Sequence, residues 1–394
     1  MKKRLKDFVN IRSKTIKNDF SDDILYVDIS SVNPDIGIIK KDLIKFNEAP
    51  SRAKKHVSHN DIIISNVRTY LKSIALIQNP EHNLIVSTGF SVLAPKRKYN
   101  PLFLSFLLKN DFFHHEVMKK SKGVSYPAIN TGELLDIECL ADFKNQDKIV
   151  AFLDENCSKI DTEIKLLEKK SILLDEYKNA LIYETVTKGL DKNAEMKDSG
   201  VEWIGAIPNS WQVKRIKDYY LLGMGNTILK EDLIDDGLYP VYSATAEDKF
   251  FGYVNNINLT LKFGDLIIPA RGNSIGYVKI IKTSNLHTCT QTTIYAKNKK
   301  NKRNSYYYYY MIGNKDKLFS YDQTAIPQIT VSQVKGKILL VPTEQEQIKI
   351  ADFLDLETKK IEKQIELINK KVELLKEYKQ SLIYEAVTGQ LEIE

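Results

Sequence analysis

Residues 173–187 read LLDEYKNALIYETVT, and residues 374–388 read LLKEYKQSLIYEAVT. The second stretch lies 201 residues after the first in a chain of 394. The match runs upstream without gaps. Phe152-Leu153-Asp154 aligns with Phe353-Leu354-Asp355, Gln146 with Gln347, Ile160 with Ile361 and Ile164 with Ile365. The starts of the two halves also agree: Lys3-Arg4-Leu5-Lys6-Asp7 resembles Lys214-Arg215-Ile216-Lys217-Asp218. Within the halves, Asp61-Ile62-Ile63-Ile64 resembles Asp265-Leu266-Ile267-Ile268, and Pro127-Ala128-Ile129 resembles Pro327-Gln328-Ile329. One pattern makes one set of contacts twice, so the repeat predicts two like units with approximate internal two-fold symmetry.

The repeated tails are predicted helices. Leu153, Cys157, Ile160, Ile164, Leu167, Ser171, Leu174 and Leu181 follow a 4-3 spacing, as do Leu354, Thr358, Ile361, Ile365, Ile368, Val372, Leu375 and Leu382. This is a heptad seam flanked by Lys and Glu. Thr343-Glu344-Gln345-Glu346 predicts a capping box, with Asp142 as a lone cap in the first copy. Gly189 and Gly389 are predicted stops. The first helix delivers the chain to the second half and the second leaves it. Burying both seams against each other therefore requires antiparallel helices, about 45 Å long at 1.5 Å per residue. The expected shape is a dumbbell. Helices that pack on their own heads, or that dimerise two chains, are the alternatives.

The segments between the tails read as mixed α/β (α+β). Strands are expected at Ile24–Ile29, Asp61–Ser65, Ser73–Ile77 and Phe90–Leu93, and helices at Pro101–Leu108 and Asp111–Lys120. In the second half, strands are expected at Leu238–Ser243, Leu259–Leu261, Asp265–Pro269, Tyr277–Ile281 and Thr292–Ala296. The tyrosine run Tyr306–Tyr310 falls where the first half has its Pro101 helix. It is read as a structural helix rather than a base-stacking platform.

Basic and aromatic residues are interleaved between the strands, in what read as loops. The first half offers Arg52, Lys54, Lys55, His56, Arg68, Tyr70 and Lys72, then Lys119, Lys120, Lys122, Ser125 and Tyr126. The second offers Arg271, Asn273, Ser274, Thr290, Gln291 and the stretch from Gln323 to Gln328. Arg and Lys suit phosphate or guanine, Asn and Gln suit adenine, and hydroxyls adapt. Arg68 and Arg271 rank first because each follows an apolar strand at a near-equivalent place. The run Lys297–Arg303 suits either a phosphate patch or a solvated turn.

Bulk composition sets limits on these readings. There are 58 Lys and Arg against 51 Asp and Glu, a net charge of +7 that mildly favours polyanionic partners. No apolar run approaches the roughly 20 residues of a membrane-spanning helix. Met1-Lys2-Lys3-Arg4 has no apolar stretch behind it, so a cytoplasmic location and no membrane partner are expected. Cys139, Cys157 and Cys289 form no CxxC and read as buried free thiols. His56, His59, His82, His114, His115 and His287 lack metal spacing. No phosphate loop, methyl-donor turn or paired-carboxylate cluster is present, since acid pairs such as Asp22-Asp23 sit in turn contexts. No catalytic residue, metal or cofactor is expected in this chain.

Six stretches then bear a resemblance. Asp198–Trp211, reading DSGVEWIGAIPNSW, looks like the junction opening the second half of type I restriction-modification specificity subunits. Glu346–Asp355 (EQIKIADFLD) and Leu374–Leu391 resemble that family's conserved helical regions. YVDISSVNPDIG and DIIISNVRTYLKSIALI in the first half, and LIIPARGNSIGYVKII in the second, resemble its target-recognition domains. One departure is that the chain's first residues lack a tryptophan lead-in like Trp211, so the first head should be anchored differently.

The resemblance implies target-recognition domains at 1–141 and 191–342, with helical spacers at 142–190 and 343–394. Each domain would read half of a split, asymmetric site in double-stranded DNA, placing the protein with the nucleoid. The helices would set the gap and bind two adenine methyltransferase subunits, and motor-nuclease subunits would complete the complex. Methyl donor, ATP and Mg²⁺ would belong to those partners. Tyr183, Glu184, Tyr384 and Glu385 recur at the helix ends and are candidates for docking the methyltransferases, with local packing against the opposite helix as the alternative. The rival functions are a self-sufficient DNA methyltransferase or nuclease, and a helical scaffold without DNA specificity.

Overall fold

A computed structural model describes residues 2–16, 23–34, 36–247, 249–299, 305–321 and 327–393. Two compact units divide the chain. Unit 1 is Met1–Glu168 with Lys370–Glu394, and unit 2 is Lys169–Asn369.

In unit 1, one sheet orders its strands Val9–Ile11, Phe90–Pro95, Ile62–Ser65, Ile74–Leu76, all antiparallel. A second sheet orders Asp42–Lys45, Asp23–Val27, Leu84–Ser87, Ala53–His56, with a parallel pair at its centre. Lys2–Arg4 pairs with Glu138–Leu140. Helices Pro101–Lys109 and Asp111–Lys120 are separated by Asn110, whose side chain accepts from the Phe113 N–H and starts the second of them. The strand that starts at Asp23 stops short of the expected Ile29, because the Asp28 carboxylate accepts the Ile29 N–H at 2.7 Å and opens a 3-10 turn.

Unit 2 repeats this order. Tyr220–Met224, Thr293–Asn298, Leu266–Pro269 and Lys279–Ile280 form the matching antiparallel sheet. Tyr239–Tyr242 pairs in parallel with Thr288–Cys289, as Asp23–Val27 does with Leu84–Ser87. Gln212–Arg215 pairs with Ile338–Val341. The two half-starts fold alike. The Arg4 N–H donates to Asp7 and the Arg215 N–H to Asp218, both at 2.9 Å, burying Leu5 and Ile216. Leu259–Leu261 is not a strand: Leu261 makes only an isolated bridge to His287. The expected strand at Tyr277 shortens to Lys279–Ile280, because residues 276–278 are taken by a turn.

The tyrosine run forms helix Tyr306–Gly313, with Tyr306, Tyr307, Tyr309 and Tyr310 buried. Tyr306 donates to the carbonyls of Val186 and Leu340, and Tyr309 to Asp355 at 2.8 Å. Burial raises all four phenols above their usual pKa. The structural reading of this run holds.

Both tails are long helices, Gln146–Lys188 and Glu344–Thr388, ending where Gly189 and Gly389 turn left-handed. Each unit takes the start of one and the end of the other. In unit 1, Lys379 pairs with Asp161 at 2.6 Å and Lys371 with Glu163 at 2.6 Å. In unit 2, Lys178 pairs with Glu362 at 3.8 Å and Ser171 meets Asn369 at 3.5 Å. Partner numbers fall along one helix as they rise along the other, so the helices run antiparallel in each unit. Lys178 and Lys379 are repeat equivalents, as are Asp161 and Glu362, and the same contact is made twice. Cys157, Ile160, Leu382 and Ala386 join the core of unit 1, and Ile182, Val186, Ile350 and Leu354 that of unit 2.

The second helix starts with the expected box. Thr343 Oγ1 accepts from the Glu346 N–H, and Glu346 accepts from the Thr343 N–H. Trp211, fully buried, donates its indole N–H to the same Glu346 at 3.1 Å. Asp142 does not cap the first helix. It accepts from the Lys144 N–H, and the helix begins later, after Asn145 in the left-handed region. In unit 1, Phe8, Tyr99 and Phe103 gather around Phe143.

Candidate nucleic-acid interface

In unit 1 the strand Ile62–Ser65 runs out into a turn at Arg68–Lys72. Its two end residues, Arg68 (φ 51°) and Lys72 (φ 49°), are both left-handed, which costs a side-chain-bearing residue about 1 kcal/mol or more. A second loop packs beside this turn. Lys122 and Ala128 close it with two backbone hydrogen bonds of 2.8 and 2.9 Å, and Val67 bridges to Ala128. The Thr69 N–H donates to the Pro127 carbonyl, and Thr69 Oγ1 meets Ser121 Oγ at 2.9 Å. The two loops thus bring Arg68, Tyr70, Ser125 and Tyr126 together, all exposed. The Arg68 guanidinium lies over the Tyr126 ring at 5.0 Å, a cation–π contact that holds both side chains without consuming the guanidinium's donors.

The remaining unit 1 candidates are placed differently. Lys72 pairs with Asp111 at 2.5 Å beside the half-buried His114, whose pKa is pushed down to about 4 by burial and then by Lys72. Arg52 donates to Asp28 at 2.6 Å and to the Tyr26 hydroxyl at 3.1 Å, and the Tyr26 bond leads in raising its pKa. The expectation of a loop at 52–56 is corrected, because Ala53–His56 is a strand. Lys54 stays exposed on it, whereas Lys55 turns inward and donates to the Phe90 carbonyl.

Unit 2 builds the same loop pair. Arg271 bridges to Gln328 where Val67 bridges to Ala128, and the Gly272 N–H donates to the Pro327 carbonyl where Thr69 donates to Pro127. Arg68 is therefore one inserted residue, and Arg271 takes the ladder position of Val67. The left-handed conformation falls in unit 2 on Gly272 (φ 70°), which adopts it without strain. Arg271, Asn273 and Gln328 are exposed together. Gln291 is exposed and accepts from Thr227 at 2.9 Å. Ser274 and Thr290 do not meet the expectation of available hydroxyls. Ser274 Oγ is spent on the Ala244 carbonyl at 2.8 Å and Thr290 Oγ1 on Thr292 at 2.7 Å, and both residues are buried. Residues 300–303 of the basic run and 323–326 of the Gln stretch lie outside the described residues, as does Asp22.

At the helix ends, Tyr183 donates to the Trp203 carbonyl at 3.1 Å, and Tyr384 packs against Phe112. Glu184 is exposed, and Glu385 accepts from Ser381. Each of these tyrosines thus meets its own unit's globular part. Sequence reasoning missed a second set of helix residues. Leu166, Leu173 and Tyr177 on the first helix are 62%, 52% and 57% exposed, and Leu367, Leu374 and Tyr378 on the second are 57%, 54% and 57% exposed. These are repeat equivalents outside the seam, and the signal that could have found them is apolar identity at a 201-residue spacing on a solvent face. The antiparallel register brings Leu166 level with Leu374 in unit 1 and Leu173 level with Leu367 in unit 2.

The three cysteines are free and buried, with Cys139 pushed up to about 12 by desolvation. Among the described residues, no group of His, Cys, Asp and Glu could hold a metal, and no helix is long and apolar enough to cross a membrane.

Each unit is an α+β module that includes the start of one long helix and the end of the other, running antiparallel. Residues 208–376 match the family model described as the type I restriction modification DNA specificity domain. A chain solved in work on complex assembly and conformational transition of the type I R-M system has the same fold, with a TM-score of 0.83 at 21% identity over 99% of this chain and 98% of that one. The HsdS subunit of Thermoanaerobacter tengcongensis matches at a TM-score of 0.56 and 21% identity, over 99% and 97%. The recognition made on the Asp198–Trp211 junction and the helical tails is borne out. The matched segment lies mainly in unit 2, and unit 1 repeats its sheet order.

Proposed function

We propose that this chain is the DNA-reading specificity subunit of a type I restriction-modification complex, acting in the cytoplasm on double-stranded DNA at the nucleoid. Residues 1–141 and 191–342 each read one half of a bipartite, asymmetric site, and the helical segments 142–190 and 343–394 set the gap. One observation carries this reading. The same strand-exit turn and partner loop are built in both units, but with unlike side chains: Arg68, Tyr70, Ser125 and Tyr126 in one, Arg271, Asn273 and Gln328 in the other. Like frames with unlike readers suit unlike half-sites. Arg52, Lys54, Lys72 and Gln291 are assigned to phosphate or edge contacts around them. Chemistry is assigned to partners: two adenine methyltransferase subunits and motor-nuclease subunits supply the methyl-donor, ATP and Mg²⁺ steps, and this chain carries no cofactor.

Arg68→Ala is expected to cost about 1–3 kcal/mol and to relax one base position in one half-site, with Arg271→Ala doing the same in the other half. Binding of every single-base variant of the mapped site, at fixed salt, checks this. An equal loss on all sequences would make the contact one with phosphate. A footprint identical on random DNA would favour the scaffold reading, and methylation or cleavage by the purified chain alone would overturn ours.

The exposed apolar residues support docking of two methyltransferase copies. Each unit carries one equivalent set, Leu166 with Leu374 and Tyr378, or Leu367 with Leu173 and Tyr177, and two equivalent patches suit two identical partners. Glu184 and Glu385 continue these faces one heptad on, next to Tyr183 and Tyr384. Leu173→Asp with Tyr177→Ala is expected to lower the stoichiometry from two methyltransferase subunits to one, a loss of about 2 kcal/mol or more at that patch, with DNA binding retained. Native mass spectrometry of the assembled complex reads the outcome, and two retained copies would place docking elsewhere.

A further inference from the structure

Val124 is the most exposed apolar side chain among the described residues of unit 1. It is 101% exposed at the tip of the loop that Lys122 and Ala128 close. A valine fully in water contributes no burial to the fold, so packing does not account for it. The loop nonetheless presents it rigidly. Two backbone hydrogen bonds pinch the loop's base, Val67 and Thr69 pin its far side, and the Arg68 guanidinium lies over Tyr126. Gly123 adopts φ 104°, and a Cβ there would come within 3.2 Å of the Tyr126 carbonyl oxygen, so the tip cannot be rebuilt with an ordinary residue at 123.

The surroundings name the occupant. Lys119, Lys120 and Lys122 flank the tip. Arg68 and Lys120 make no ion pair among the described residues, while Lys119 and Lys122 pair only with the single carboxylates Glu116 and Glu133. A rigid apolar tip in a basic surround fits a nucleic-acid groove better than a protein core or a membrane. Within DNA, the apolar group that a small branched side chain can read in the major groove is the C5 methyl of thymine. Intercalating wedges are larger side chains, Phe, Leu, Ile or Met, or the stiff ring of Pro.

Resting on the DNA-reading function above, we infer that Val124 is a specificity-determining residue of unit 1 that contacts a thymine C5 methyl, next to the base contacted by Arg68. Arg68 supplies donors and Val124 supplies discrimination between thymine and cytosine, which lacks the methyl.

The test uses the full-length chain and duplexes carrying its mapped site, in which each thymine of the half-sites is replaced singly by deoxyuracil. This removes one methyl group and changes no hydrogen bond. Wild type is expected to bind about fourfold more weakly at one thymine position, the worth of one buried methyl-sized group. Val124→Ser, a surface change that leaves the fold intact, is expected to bind the thymine and uracil duplexes equally at that position and to keep its response to all others. Equal uracil responses in wild type and Val124→Ser overturn the inference, as does a half-site without thymine on either strand. If instead Val124→Ser weakens binding to every duplex alike and removes a 2-aminopurine fluorescence rise seen with wild type, the residue is a stacking wedge and the methyl contact is wrong. A chain that does not distinguish its site from scrambled DNA overturns the DNA-reading function itself, and this inference with it.

Discussion

Trp211→Ala is expected to remove about 3–5 kcal/mol of stability from unit 2 and to lower its melting temperature by about 10 °C or more. The indole is fully buried and packs edge-on against Tyr306 at 6.3 Å. It lies against Gly189, which ends the first long helix, and donates to Glu346, which starts the second. One side chain therefore touches a helix stop, a helix cap and the tyrosine helix. Its loss opens a large cavity and leaves Glu346 held only by Thr343. Trp211→Phe separates the causes: it keeps most of the volume and loses the N–H bond, at about 0.5–1.5 kcal/mol. Urea unfolding followed by fluorescence is the measurement, because the chain has two tryptophans and the remaining one, Trp203, also lies in unit 2. A change below about 1 kcal/mol for Trp211→Ala would show that the junction is not held through this ring.

Deleting residues 167–173 and 368–374 together is expected to shorten the gap in the recognised DNA site by about three base pairs. Seven residues of helix rise about 10 Å, and base pairs stack about 3.4 Å apart. The two segments lie opposite one another in the antiparallel register, and their removal joins Ile164 to Leu174 and Ile365 to Leu375 at unbroken seam spacing. The original site should fall to non-specific affinity, a loss of about a thousandfold or more. Selection from duplexes with randomised gap length reads the new spacing directly. A site selected with its old gap would mean that the helices do not act as the ruler.

What the sequence disclosed and what it hid divide along physical lines. The heptad seam was legible because a 3.5-residue period is written into every turn, and Leu153, Leu354 and Ile361 are buried where it puts them. The tyrosine helix was legible only through the repeat, since composition alone suggested stacking. Strand Ala53–His56 was hidden because its Lys-Lys-His content mimics a loop. Its place is fixed by pairing with Leu84–Ser87 and by the Thr15–Lys55 bridge, both long-range facts. Asp142 failed as a cap because Asn145 turns left-handed first. Among the site residues, the Arg68 and Arg271 turns followed from apolar strands that end at basic loops. The inward turn of Ser274 and Thr290 did not, since a hydroxyl next to a basic residue reads the same whether it faces solvent or a carbonyl.

Unit 1 is closed by its second segment, Lys370–Glu394: Val387 accepts the Asp142 N–H, and Leu382, Ile383 and Ala386 fill a core begun by Leu5 and Phe8. Unit 2 is one unbroken stretch, Lys169–Asn369. On the ribosome, the half made first must therefore wait for the half made second. At about 5–20 residues per second, the some 200 residues between the two parts of unit 1 take roughly 10–40 s to emerge. A nascent chain that stops before Leu382 can thus complete unit 2 but not unit 1.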